Sequence, residues 1–237
     1  MTNSTSTPRR AGSLEALAAA PFAGPGSRRP RERLLESILL VSGELGYERA
    51  TVKLVIERAG TSRATFYNHF EDKEDCFVEA YFEASEWLYE RVLALARRQP
   101  TWRDGLRVGL AEFLEFCAHN PAIAKALFIE AHAVGGEALA QHDRLMERVS
   151  GAIDDVRRET GPAQSPPAMT SAFMVGAIEA LITAKLSNDE AGKAPELLPG
   201  ILHFVVMQYL GKEAAWEEMT SASIATWDAQ RRAATHR

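Results

Sequence analysis

Residues 51–74 read TVKLVIERAGTSRATFYNHFEDKE, and this stretch decides the fold. Thr51 is a good N-terminal cap, and apolar residues follow at 52, 55, 56 and 59, the spacing of one buried helix face. Gly60 is expected to end this helix, and Ser62 to cap a second short helix that ends near Phe70. Two short helices joined by a glycine-containing turn predict a helix-turn-helix, a motif whose second helix enters the major groove of DNA.

The second helix of this pair is expected to have a buried and an exposed face. Phe66 and Phe70, four residues apart, would be buried. Arg and Asn side chains on the other face can bind base edges in two-pronged fashion, Ala and Thr methyls can touch thymine methyls, and Tyr, His and Lys suit phosphates. The outward positions are Arg63, Ala64, Tyr67 and Asn68, followed by His69 and Lys73.

Taken together, the stretch resembles the DNA-binding signature of the tetracycline-repressor (TetR) family. That pattern has a Thr cap, an Ala-Gly-Val-Ser turn, a Thr-hydrophobic-Tyr segment, a His-Phe pair, and Lys-Glu at the start of the next helix. Many fixed spacings match at once, which a chance helix-turn-helix pattern does not achieve. The matching positions are Thr51, Ala59, Gly60, Ser62, Thr65, Phe66, Tyr67, His69, Phe70, Lys73 and Glu74.

Three positions depart from the family pattern. Ile56 replaces a usual Ala and demands more room between the two helices. Thr61 replaces an apolar turn residue and brings a hydroxyl that needs a hydrogen-bond partner. Ala64 replaces a frequent Gly and places a methyl beside the DNA.

The resemblance implies a set of DNA-contacting residues. Thr51 and Lys53 would contact phosphates or an adjacent base, and Tyr67, His69 and Lys73 would anchor the DNA backbone. For Tyr67 and His69 the alternative is a helix-end hydrogen bond inside the domain. The full set is Thr51, Lys53, Ser62, Arg63, Ala64, Thr65, Tyr67, Asn68, His69 and Lys73.

Helical periodicity continues along the rest of the chain, and no strand pattern stands out. The predicted helices cover approximately 31–45, 52–59, 63–70, 73–98, 102–119, 121–133, 138–160, 168–186 and 195–212. The expected fold is all-α, with about nine helices. A three-helix DNA-binding domain is joined by a long helix to a larger body, which the resemblance implies to be a ligand-binding and dimerisation domain.

Four segments divide the chain: a disordered arm at 1–27, the DNA-binding domain at 28–73, the helical body at 74–214 and a tail at 215–237. The arm is rich in Ser, Thr, Pro, Gly and Ala and has no sustained period. Four arginines close it, and either a solvated linker or an arm that reaches DNA phosphates or the minor groove would explain them. They are Arg28, Arg29, Arg31 and Arg33.

Charge and cysteine usage favour a cytoplasmic protein with a basic front. The net charge is -5, yet residues 28–73 hold nine Lys/Arg against seven Asp/Glu, a balance of +2, while residues 74–237 hold sixteen against twenty-four, a balance of -8. Only residues 28–73 are therefore expected to bind a polyanion. Cys76 and Cys117 lie on apolar stretches and are expected to be buried thiols in a reducing compartment. No membrane-spanning segment is expected.

Small residues recur every fourth position along the eighth predicted helix, and the ninth is apolar on most faces. Such helices must be buried nearly all round, which favours a two-fold four-helix interface between two copies. A central helix pair in a monomer is the alternative. The predicted interface residues are Ala172, Gly176, Ala180, Ile201, Val205 and Tyr209.

A ligand pocket is expected among the helices of the body, although aromatic residues at helical spacing are more often plain core. The candidate lining is Phe82, Trp87, Phe113, Phe116, Cys117, Phe128, His132, Phe173 and Glu179. The histidines of the body, at 119, 132, 142 and 203, are too scattered in the sequence to predict a metal site, so neither a metal nor another cofactor is expected.

The resulting hypothesis is a homodimeric, sequence-specific regulator that binds a palindromic double-stranded operator. A small-molecule effector of unknown identity would release it, as in a repressor. A ligand-independent or activating regulator is the first alternative, and a helical ligand-binding protein without DNA affinity is the second. An enzyme is not expected, because the sequence has no Gly-x-Ser-x-Gly elbow, phosphate loop or paired metal-ligand motif.

Overall fold

The computed structural model describes the backbone of residues 29–160, 166–167 and 169–235, and their side chains except at 156–160 and 223–235. In this part of the chain every regular element is a helix, which confirms the all-α prediction. The expectations for the arm at 1–27 and for Arg28 lie outside the described residues.

The helices follow one another with short connections. They are α1 (Pro30–Leu45), α2 (Val52–Ala59), α3 (Arg63–Tyr67), α4 (Lys73–Arg97), α5 (Trp102–His119), α6 (Pro121–Lys125), α7 (Ala131–Val134), α8 (Gly136–Thr160), α9 (Thr170–Ser187) and α10 (Leu198–Thr235). A π-helical turn at Ala126–Glu130 joins α6 to α7, and 3₁₀ turns occupy Tyr47–Arg49 and Ala191–Leu197.

The last helix extends further than the sequence predicted. Gly211 breaks α10 with a φ of 80°, close to the expected end at residue 212. The chain then resumes a helical backbone and keeps it to Thr235. Glycine adopts this backbone conformation without the steric cost that a Cβ would bring, so Gly211 serves as a corner between two helical segments.

The predicted caps define the helices of the DNA-binding domain. The Thr51 hydroxyl accepts a hydrogen bond from the Leu54 N–H, and Gly60 takes the left-handed conformation at the end of α2. The Ser62 hydroxyl accepts from the Thr65 N–H at 3.1 Å. Each cap satisfies a backbone N–H that the first helical turn leaves unpaired.

Two arginines at the start of α1 stabilise this domain internally. Arg31 forms ion pairs with Glu79 and Glu83 on α4. The Arg33 side chain donates a 2.8 Å hydrogen bond to the carbonyl of Ala59 at the end of α2. These two residues therefore belong to helix α1, which begins at Pro30, and neither the linker nor the arm describes them, because their side chains contact neighbouring helices.

The DNA-binding domain packs directly on the body. Gly43 of α1 lies against the backbone of Ala122 in α6. The Tyr47 N–H donates a 2.6 Å hydrogen bond to the Glu130 carboxylate in the π turn. A shift of the body's helices would therefore move α1 and the helices that rest on it.

Candidate DNA-binding surface and ligand cavity

The outward face of α3 carries the polar groups that the sequence placed there. Phe66 and Phe70 are buried in the core. Arg63, Tyr67 and Asn68 are exposed, with Tyr67 at 53% of its full accessibility, and Ala64 and His69 are exposed beside them. The Tyr67 ring stands edge-on against Phe66, with ring centroids 5.3 Å apart. This contact holds the Tyr67 ring in place, which orients its exposed hydroxyl for a phosphate contact.

Two hydroxyls of the expected DNA set already have bonds within the domain. Ser62 caps α3, and its hydroxyl also lies 2.9 Å from the Thr65 hydroxyl. Thr51 caps α2 in the same way. These groups shape the surface, while the side chains of Arg63 and Asn68 project from it. Lys53 is exposed at the start of α2, 3.8 Å from Glu57.

Lys73 does not present its ammonium group to the outer surface. Its Nζ donates a 2.8 Å hydrogen bond to the carbonyl of Tyr47 and lies 3.8 Å from the centre of that residue's ring. Burial lowers the pKa of Lys73, although nearby Glu48 raises it. The 3₁₀ turn at Tyr47–Arg49 thus offers the Lys73 ammonium group a carbonyl and an aromatic face within the domain, and its phosphate contact stays a prediction.

The three departures from the family pattern are accommodated differently. Ile56 packs at the edge of the domain core, and Ala64 is exposed. The Thr61 hydroxyl is buried without a hydrogen-bond partner among the described residues. An unsatisfied buried hydroxyl costs roughly 1–3 kcal/mol, so this turn is less stable than one with an apolar residue.

A cavity of about 1130 Å³ lies in the body between α4, α5, α8 and α9. Its wall is mainly apolar, with Leu88 and Leu110 among the aliphatic residues and Phe113 and Phe128 meeting edge to face. The polar groups on the wall include Tyr81, Arg148 and Glu179. A large apolar space with a few polar groups is typical of a small-molecule site.

The predicted lining is correct at only three positions, Phe113, Phe128 and Glu179. Trp87 and Phe116 pack on each other 5.9 Å apart, and Cys117 is completely buried in the core. The other three are exposed: Phe82, His132 and Phe173. Periodicity identifies an apolar face but does not say which neighbour covers it, so the residues that do line the cavity, such as Tyr81 and Leu88, were missed.

An exposed apolar face runs along α9. Phe173 is 68% exposed, Met169 63% and Leu181 47%. Small residues lie between them, including the predicted Ala172, Gly176 and Ala180, all exposed. Such a face on a folded protein marks an interaction surface.

The prediction for α10 selected the wrong side of the helix. Ile201, Val205 and Tyr209 are at most 3% exposed and belong to the protomer's own core. The exposed large apolar residues among the described side chains of this helix are Phe204 and Met207, each 39% exposed, and Trp216 beyond the break at Gly211, 48% exposed. Helix α10 is apolar on several faces, so its sequence alone does not distinguish the core side from the outer side.

Helix α9 is also the one described helix that is long and apolar enough to cross a membrane, with a mean hydropathy of 1.2 over Thr170–Ser187. Length and composition are the whole basis of this observation, and a single such helix is weak evidence for a membrane span. A face that packs against another helix has the same composition.

The histidines are less scattered than the sequence suggested. The rings of His132 on α7 and His142 on α8 have their centroids 4.8 Å apart. The Oε1 atom of Glu179 on α9 lies 2.7 Å from the His142 Nε2, which is hydrogen-bond distance. Three separate helices bring these residues together. Spacing along the chain gave no signal for the group.

Comparison with known proteins agrees with the surface on α3. The family described as bacterial regulatory proteins, tetR family, matches residues 34–80, which include the whole helix-turn-helix. Residues 34–80 of this chain therefore match the DNA-binding segment of that family. The match ends within α4, so the evidence for the body comes from other comparisons.

Proteins similar to this chain include a transcriptional activator, FasR of Mycolicibacterium smegmatis. It is 24% identical over 141 residues, which are 57% of this chain and 64% of FasR, so the match spans slightly less than two thirds of that relative. Among solved structures, the fatty acid degradation regulator FadR of Bacillus halodurans has a TM-score of 0.68 at 13% identity, covering 79% of this chain and 98% of FadR.

A second solved structure is FadR of Bacillus subtilis in complex with stearoyl-CoA. Its TM-score is 0.64 at 16% identity, and the match covers 76% of this chain and 97% of that one. At these identities the two structures show a shared fold, which extends through the helical body as well as the DNA-binding domain.

Proposed function

We propose that this chain is a TetR-type, sequence-specific DNA-binding regulator that acts as a homodimer and leaves its operator when an apolar ligand enters the body. The observation that carries the proposal is the exposed face of α3, where Arg63, Tyr67 and Asn68 project from a capped helix on a packed domain. Arg and Asn read base edges in the major groove, and Tyr suits phosphates.

The exposed face of α9 supports the dimer. Phe173 and Leu181, with the small residues between them, are suited to close packing against the same face of a second copy. Phe204 and Met207 extend the apolar area onto α10. A two-fold pair would present two α3 helices, and a palindromic operator needs them about 34 Å apart.

The cavity supports an elongated apolar ligand such as an acyl-CoA thioester. Its volume of about 1130 Å³ slightly exceeds the range of about 300–1,000 Å³ common for small-molecule sites. The fold is shared with a regulator described in complex with stearoyl-CoA. Tyr81, Arg148 and Glu179 would orient the polar end of the ligand.

The structure also suggests how the ligand signal would reach DNA. Helix α4 lines the cavity with Tyr81, Leu88 and Val92, and the same helix holds Arg31 of α1 through Glu79 and Glu83. A ligand that displaces α4 would change the position of α3 in both protomers. The reading helices would then no longer match the operator spacing.

The test of DNA recognition uses an operator selected from random duplexes. Arg63→Ala should lower affinity by about 1–3 kcal/mol and relax preference at one position in each half-site, because one base-reading side chain is lost. The matched control is Arg98→Ala, an exposed arginine at the opposite end of α4. Equal affinity and unchanged sequence preference for Arg63→Ala would refute the assignment of α3 as the reading helix.

The ligand is tested separately, by fluorescence anisotropy of labelled operator. Palmitoyl-CoA should release the duplex, whereas coenzyme A alone should not, because only the acyl chain occupies the apolar cavity. Leu93→Trp would fill part of the cavity wall and should abolish the response, and Leu93→Ile should retain it. Unchanged anisotropy with palmitoyl-CoA and with free palmitate would contradict the proposed ligand class.

A further inference from the structure

Three side chains from three different helices converge beside the cavity. They are His132 of α7, His142 of α8 and Glu179 of α9, and their nitrogen and carboxylate oxygen atoms all lie within 4.8 Å of one another. The His142 Nε2 is 2.7 Å from the Glu179 Oε1. His142 is buried, with 3% of its side chain exposed, and Glu179 is 22% exposed. His132 is the most exposed of the three.

The donor set is the one that zinc-like cations prefer. Zinc binds imidazole nitrogens at about 2.0–2.1 Å and carboxylate oxygens at about 2.0–2.2 Å, so tetrahedral ligand atoms lie roughly 3.3 Å apart. The present separations, from 2.7 Å to 4.8 Å, bracket that value. Small side-chain rotations would therefore complete the site, with no shift of the helices.

Tyr81 gives the group an outer partner of the right kind. Its hydroxyl lies 3.0 Å from the His142 Nδ1, on the side of the imidazole away from Glu179. A metal-bound histidine usually donates its other ring N–H to an oxygen, which fixes the ring's orientation. The Tyr81 hydroxyl oxygen can accept that hydrogen bond while Nε2 faces the cation.

We propose that His132, His142 and Glu179 bind one divalent transition-metal cation of the zinc class. The competing arrangement needs no cation. In it a neutral His142 donates its Nε2–H to Glu179, and its Nδ1 accepts a hydrogen bond from the Tyr81 hydroxyl. His132 distinguishes the metal site from the hydrogen-bonded pair, because the pair of His142 and Glu179 is complete without His132. Its ring nonetheless lies 4.8 Å from the ring of His142, centre to centre.

At this location a bound cation would link helices that contact both the cavity and the DNA-binding domain. It would tie α7 to α9, and α7 directly follows the π turn whose Glu130 accepts the N–H of Tyr47 in the DNA-binding domain. Glu179 also lines the cavity. Three protein ligands leave a fourth position for water or for an anionic group of a molecule in the cavity.

The experiment titrates metal-free, untagged protein with Zn²⁺ by calorimetry, and with Co²⁺ by visible absorption. Wild type should bind one cation per chain, and the Co²⁺ complex should show the d–d bands of a site with nitrogen and oxygen ligands. His132→Ala and Glu179→Gln should each weaken binding by about tenfold or more. His119→Ala, which removes an exposed histidine of α5 paired with Glu115, should bind as wild type does.

The readouts do not require DNA binding, so they stand apart from the proposed regulator function. His132 is exposed, and a circular dichroism spectrum of His132→Ala that matches wild type would establish that the variant is folded. No Zn²⁺ binding at 100-fold molar excess would overturn the proposal in favour of the hydrogen-bonded pair. Binding that is unaffected by either His132→Ala or Glu179→Gln would overturn it as well.

Discussion

The Gly43→Ala substitution tests the contact between the DNA-binding domain and the body. Gly43 lies in the middle of α1, where its missing side chain lets the helix approach α6. An ideal Cβ at this position would be 1.8 Å from the carbonyl oxygen of Ala122. Real Cβ contacts essentially never fall below 3.0 Å, and the obstacle here is backbone, which cannot rotate away.

Two opposing effects set the magnitude. Alanine is a better helix former than glycine by about 1 kcal/mol, which alone would stabilise the protein. Forcing an extra methyl into a packed interface typically costs about 1–3 kcal/mol, and the separation must grow from 1.8 Å to at least 3.0 Å. Because the obstacle is backbone, the upper end of that cost, about 3 kcal/mol, applies. After the gain of about 1 kcal/mol in helix propensity is subtracted, we expect the free energy of unfolding to fall by about 2 kcal/mol.

Thermal melting by circular dichroism measures the result. A chain of this size loses about 2–4 °C for each kcal/mol, so Gly43→Ala should melt about 4–8 °C below wild type. Gly151→Ala is the matched control, because Gly151 lies in α8 with no atom within 4 Å of its ideal Cβ. This control should melt slightly above wild type. If Gly43→Ala melts at or above wild type, the close packing of α1 on α6 is refuted.

Three further outcomes follow from the structure. Phe173→Glu should place a charge on the apolar face of α9 and convert the proposed dimer to a monomer in light scattering; a mass that stays that of two chains would exclude this face as the interface. Asp72→Ala should cost about 1 kcal/mol in chemical denaturation because the carboxylate that caps α4 through the Asp75 N–H is lost, whereas Asp72→Asn should retain most of it. Burial raises the pKa of Cys117 to about 12 and raises that of Cys76 further, so neither thiol should react with an aromatic disulfide reagent at pH 8 until the protein is denatured; rapid labelling of native protein would contradict their burial.

The DNA-binding domain could be predicted in detail because its signals are local. A cap such as Ser62 acts three residues away, and the burial of Phe66 and Phe70 follows from their spacing. The contact of Lys73 with the carbonyl of Tyr47 could not be predicted, because Tyr47 is distant in sequence and belongs to a turn that the hydrophobic pattern does not mark.

The body could be predicted only as a set of helices. Tyr209 and Phe204 lie on one apolar helix, yet the first is buried and the second exposed, because the packing of neighbouring helices determines which side faces outward. The group of His132, His142 and Glu179 was hidden for the same reason. Its members come from three helices, and only the tertiary fold brings them together.

The central claim is that two copies of α3 read one duplex at matched spacing. Selection of bound sequences from random duplexes, followed by mass measurement of the purified complex, tests it most directly. We expect an inverted repeat with half-sites separated by about one helical turn or a multiple of it, and two protomers on each duplex. No enrichment of any sequence at low ionic strength, or a single protomer on each bound duplex, would contradict the account.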